Sequence, residues 1–105
     1  MKTTVEEMQK SLREAGLEDA ASGVIFPWGA KIVEIDGKKM LQPMTPDEYA
    51  LAVEQETGRV LSKEEALEPN CFYSSGGCIS RGCRQAGGTC RLTSIEGRFY
   101  CICDY

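Results

Sequence analysis

The sequence predicts an α+β fold: a small N-terminal helix/hairpin unit over residues 1–69, followed by a disulfide-rich β-hairpin mini-domain over residues 70–105. Three observations predict it. Thr45-Pro46-Asp47-Glu48 and Ser62-Lys63-Glu64-Glu65 are helix starts, each with a hydroxyl cap and a glutamate three positions on to satisfy the free N–H groups of the first turn. Asp36-Gly37 is a hairpin dipeptide set between two β-favouring runs. All six cysteines fall in the last 35 residues. A segment that short cannot bury enough apolar surface to offset its own ordering entropy, so its sulfurs must hold it together.

Along the chain, Val5, Met8, Leu12 and Ala15 recur at helical spacing, with Glu6 and Glu7 in the first turn and Gly16 as the stop. Leu17 to Ala21 adds a short helical turn before Ser22-Gly23. Val24-Ile25-Phe26 leads into a turn at Pro27-Trp28-Gly29. Ala30 to Ile35 reads as a strand, and Lys38 to Leu41 returns beside it. The helix capped by Thr45, with Pro46 suited to its first position, runs to Thr57 and ends at Gly58. Its inward residues are expected to be Tyr49, Ala52 and Val53, with Leu51 beside them. A shorter helix from Lys63 to Leu67 is broken by Glu68-Pro69-Asn70, where the domain boundary is placed. The apolar residues available for an N-terminal core are Ile25, Phe26, Trp28, Ile32, Val33, Ile35, Met40, Leu41, Tyr49 and Val53. Such a core is near break-even alone, and docking on the cysteine segment is expected to complete it.

The cysteines run C-x6-C-x4-C-x6-C-x10-C-x-C, as Cys71, Cys78, Cys83, Cys90, Cys101 and Cys103. Arg98 to Cys103 reads as a strand, so Cys101 and Cys103 share a face, and Leu92 to Ile95 pairs with it across Glu96-Gly97. Three disulfides are the economical reading, with connectivity left open among the roughly 15 arrangements that six cysteines allow. No cofactor is expected on that reading. The alternative is zinc on Cys78, Cys83, Cys101 and Cys103, although no C-x2-C ligand pair and no histidine is present.

The C-x6-C-x4-C opening is similar to vertebrate β-defensin spacing, and Cys101-x-Cys103 resembles the end of cystine-stabilised αβ defensins. Gly87-Gly88-Thr89-Cys90 with Tyr100-Cys101-Ile102-Cys103 is similar to part of an EGF-like module. The resemblance covers residues 71–105 and implies a small cystine-stabilised peptide of the defence, bacteriocin-like or signalling type.

Charge divides the chain. Residues 1–70 carry 8 Lys/Arg against 14 Asp/Glu, whereas residues 71–105 carry Arg81, Arg84, Arg91 and Arg98 against Glu96 and Asp104. These four arginines are the candidate surface-binding residues for an anionic surface or a protein partner, beside Phe72, Tyr73, Phe99 and Tyr100. The excess is too small for nucleic acid. With no histidine, a Cys-His or Ser-His nucleophile is excluded, and the chain is read as a non-enzyme.

The function expected first is a two-part precursor, cleaved near 68–70 to release a basic disulfide-stapled peptide. In it, residues 1–69 form an acidic leader or a handle for a processing or export enzyme. The alternatives are a small intact binding module with structural disulfides, and a cytosolic cysteine-based metal-binding protein. No stretch approaches the roughly 18 apolar residues of a transmembrane helix. The first residues lack a signal-peptide apolar block, so export by a non-classical or leader-dependent route is expected, with the cytoplasm as the alternative.

Overall fold

In the computed structural model, which describes residues 3–105, the strand Arg98–Asp104 (β7) is the axis of the fold. Phe99, Tyr100, Cys101, Ile102 and Cys103 are all buried, as a strand's side chains are when both its faces are covered. Thr89–Ile95 (β6) pairs with β7 antiparallel through the turn at Glu96-Gly97. On the other side of β7 lies Ala30–Ile35 (β2), which forms a hairpin with Lys38–Pro43 (β3). The sheet order is β3-β2-β7-β6. Asp36 and Glu96 both adopt left-handed φ, 52° and 51°, each followed by a glycine with positive φ. That is the geometry of the tight hairpin turn that matches strand twist.

A second sheet has the order β1-β4-β5 and is built from Ile25–Phe26 (β1), Cys71–Ser74 (β4) and Gly77–Ser80 (β5). Among the described residues four helices complete the fold: Val5–Glu14 (α1), Glu18–Ala21 (α2), Pro46–Thr57 (α3) and Lys63–Leu67 (α4). Thr4, Thr45 and Ser62 each close a full capping box, and Gly58 ends α3 in the left-handed conformation.

Alternation along β7 sorts the core into two layers. Tyr100 and Ile102 face α3, packing with Met44, Tyr49, Ala52 and Val53. The Tyr49 hydroxyl donates to the Cys101 carbonyl at 2.8 Å, tying α3 to the central strand. Phe99, Cys101 and Cys103 face the other way, into a cluster with Met8, Leu12, Phe26, Cys71, Tyr73 and Cys83. Tyr73 stacks on Phe99 with ring centroids 6.2 Å apart and donates its hydroxyl to the Met8 sulfur. Thr93, the cross-strand partner of Tyr100, is fully buried, and its Oγ1 has no hydrogen-bond partner among the described residues.

The division at 69/70 marks the passage from α4 into β4, and both the sheet and the core run across it. Ala30 and Lys31 pair with Phe99 and Arg98, and Met8 and Leu12 of α1 pack among half-cystines. Several residues expected inside lie outside instead. Ile35 and Met40 are exposed because β2 pairs with β7 only at Ala30 and Lys31, so the far end of the β2–β3 hairpin extends beyond the sheet. Ile25 is exposed on the short β1, and Leu51 points to solvent from α3.

Candidate functional site

The disulfides join Cys71–Cys90, Cys78–Cys101 and Cys83–Cys103. Each closes a loop of about twenty residues, the separations being 19, 23 and 20, which on the chain-entropy account contributes about 3 kcal/mol apiece. The four sulfurs weighed as a zinc quartet, Cys78, Cys83, Cys101 and Cys103, are joined to one another as two of these bonds. A disulfide sulfur is no thiolate, so that set offers no ligands in the oxidised chain. Together these features make the molecule a small, cysteine-rich, disulfide-stabilised domain.

A broad, open concavity lies beside the connector between α4 and β4. Pro69 is buried, and the Asn70 carbonyl accepts the Arg81 backbone N–H at 2.7 Å. Around this anchored stretch opens a groove of about 440 Å³, lined on its apolar side by Pro27, Trp28, Leu67, Pro69 and Phe72. Trp28 is fixed in the wall because its indole N–H donates to the Ala66 carbonyl at 2.8 Å, near the C-terminal end of α4. The Arg81 guanidinium lies over the Phe72 ring, 5.1 Å from its centroid. No carboxylate comes within ion-pair distance of Arg81 among the described residues. Glu68 and Asn70 complete the rim. On the far side of the connector, Arg59 lies over the Tyr105 ring at 5.5 Å, and Asn70 reaches the Tyr105 hydroxyl.

No family model matches this chain, and neither a curated protein nor a solved structure matches it.

The four arginines singled out by sequence have different surroundings. Arg81 is in the groove. Arg84 is exposed in a separate cleft beside Cys78, Gly88 and Cys90. Arg91 bridges Glu56 of α3 and Asp104 of β7, with only 18% of its side chain exposed, and so braces the helix against the sheet. Arg98 is half-buried, 3.8 Å from Glu96. Of the aromatics named with them, Phe72 lines the groove, while Tyr73, Phe99 and Tyr100 are buried in the core.

Sequence reasoning missed Trp28, Leu67 and Pro69 as parts of one surface. Pro27-Trp28-Gly29 carries a turn signal and Glu68-Pro69-Asn70 a break signal, and only the pairing of β1 with β4 brings them together. The buried tyrosines offer no acid–base chemistry near neutrality. Burial pushes Tyr49 up to about 12 and raises Tyr73 and Tyr100 as well. What the groove can do is stack an apolar group against Trp28 and Phe72 and hold one anionic group at Arg81.

Proposed function

We propose that this protein is an intact, non-catalytic binding module that holds a protein segment in the Trp28–Phe72–Arg81 groove. The segment presents an apolar side chain beside a single carboxylate. The observation that carries this reading is the groove's composition. Its walls come from both sides of the 69/70 division, Trp28 and Leu67 on one and Phe72 and Arg81 on the other, so forming it needs both parts of the chain together. The stacked guanidinium keeps its N–H edge available for bidentate pairing with a carboxylate. Glu68 on the rim disfavours a multiply charged ligand, and the net charge of −4 opposes a broad anionic surface. A groove this small supports a transient contact, with affinity on the order of micromolar.

Trp28 is the sole tryptophan, so its fluorescence reports the groove directly. Panning a random peptide library against the disulfide-bonded chain is expected to enrich sequences with an acidic residue next to an apolar one. A synthetic peptide of the enriched sequence should change Trp28 emission on titration, and Arg81→Glu should weaken it at least roughly tenfold. Limited proteolysis of the same material should leave the chain resistant through Asn70. Enriched peptides that leave Trp28 emission unchanged, or ready release of a C-terminal fragment near Asn70, would overturn the reading, and the second outcome would favour the precursor.

A further inference from the structure

We infer that the reduced chain holds a divalent metal ion on Cys71, Cys83, Cys90 and Cys103, a quartet different from the one suggested by cysteine spacing. Two of the disulfides are neighbours. The sulfurs of Cys71, Cys83 and Cys90 all lie within 4.8 Å of one another, although Cys83 is bonded to neither of the others. Cys103 lies outside that group of three, but it is the disulfide partner of Cys83 and so the next sulfur available to it. Four thiolates around zinc, with Zn–S near 2.3 Å, stand about 3.8 Å apart, a spacing within reach of the three grouped sulfurs, and Cys103 has to rotate toward them once its bond to Cys83 is reduced. Cys78 and Cys101 are also outside the group, and they are bonded to each other and to none of its members.

Backbone pairing also contributes to placing these four positions. Cys90 and Cys103 are cross-strand partners in the β6–β7 hairpin, and their side chains therefore share a face. Cys71 is held by its pairing with Ser80 across β4 and β5. Cys83 begins a tight turn in which its carbonyl accepts the N–H groups of Ala86 and Gly88. Cys71, Cys83 and Cys103 are buried, whereas Cys90 borders a cleft of about 290 Å³ that gives an ion access from solvent. Arg84 lines the same cleft and offsets part of the double negative charge of a divalent ion with four thiolates.

The chemistry balances with a thiol reductant. Each disulfide takes two electrons and two protons from a dithiol, which is itself oxidised to a disulfide. The four thiols then release four protons as the ion binds. The same sulfurs would thus staple the fold in an oxidising compartment and bind metal in a reducing one.

The test uses the full chain, reduced anaerobically with a phosphine that does not compete for the ion. Zinc is titrated against a chelator, and cobalt(II) serves as the optical probe of tetrahedral thiolate. A single ion per chain is expected, with the cobalt spectrum of a four-sulfur site. Cys71→Ser and Cys90→Ser should each weaken binding by more than the roughly 10–100-fold that loss of an outer-shell partner costs. The double variant Cys78→Ser/Cys101→Ser should bind as the wild type does. Absence of binding by the reduced wild type would overturn the proposal. So would equal dependence on Cys78 and Cys101, the mark of an unfolded thiol-rich chain or of the spacing-derived quartet.

Discussion

At Gly88 a missing side chain governs a covalent bond. A Cβ there would lie 2.7 Å from the Cys103 sulfur, 2.9 Å from the Asp104 carbonyl oxygen and 3.0 Å from the Cys83 sulfur. Two of those three atoms form a disulfide and the third belongs to the ladder of β7, so none can swing aside as a flexible side chain would. Gly88→Ala is therefore expected to destabilise the oxidised protein by about 1–3 kcal/mol, the usual cost of overpacking. It should also raise the fraction of chains with mispaired Cys83 and Cys103, read by disulfide mapping after refolding. Normal pairing with unchanged stability would show that the contact relaxes freely. Nothing in the run Ala86-Gly87-Gly88-Thr89 distinguishes this glycine from its neighbour, because Gly87 is a turn residue with open space around it. The sequence shows that glycines surround half-cystines here, while only the three-dimensional path shows which one is crowded.

The elements that carry their own local signals were legible, and those defined by partners were not. Each predicted helix is present, and three of them, α1, α3 and α4, start with Thr4, Thr45 and Ser62 satisfying backbone donors within three residues, which needs no tertiary help; α2 has no side-chain cap. Both Asp-Gly and Glu-Gly hairpins formed for the same reason. The β4–β5 hairpin was missed because its turn at Ser75-Gly76 sits in a serine- and glycine-rich run that reads as irregular. The insertion of β2 beside β7, and the pairing of β1 with β4 that builds the groove, join residues roughly 50–70 apart in the chain, which no local pattern encodes. The capping claim can be measured at α3. Thr45 and Glu48 close its box, and Glu48 also pairs with Lys31 of β2, so the helix start is fastened to the sheet. The Lys31 ammonium and the Thr45 backbone N–H hold the Glu48 carboxyl below its usual range. Thr45→Ala should cost about 1 kcal/mol in chemical unfolding, with the native fold retained. A loss no larger than that of an exposed control such as Asp47→Ala would show that the cap does not contribute measurably.

For the whole molecule, the two-layer core predicts how stability depends on pH. Tyr49 and Tyr100 lie in the layer under α3, and Tyr73 lies in the layer with the disulfides, so both layers are sealed by neutral phenols. Burial raises all three above the ordinary value of 10.0, with Tyr49 at about 12. A raised value means that the folded chain keeps protons that the unfolded chain has already lost. The stability they provide is complete below pH 10.0 and declines as the pH climbs through about 12. For Tyr49 the two-unit displacement corresponds to a loss of about 3 kcal/mol across that window, beginning where its hydroxyl would cease to donate to the Cys101 carbonyl. Urea unfolding midpoints taken from neutral to strongly alkaline pH should therefore stay level and then fall steeply above pH 10. In Tyr49→Phe the neutral plateau should be lower by about 1 kcal/mol, for the lost hydrogen bond, and the alkaline decline shallower. An unaltered alkaline slope in that variant would mean that Tyr49 ionises without resistance from the core, and α3 would then be held to β7 less tightly than its packing with Tyr100 and Ile102 implies.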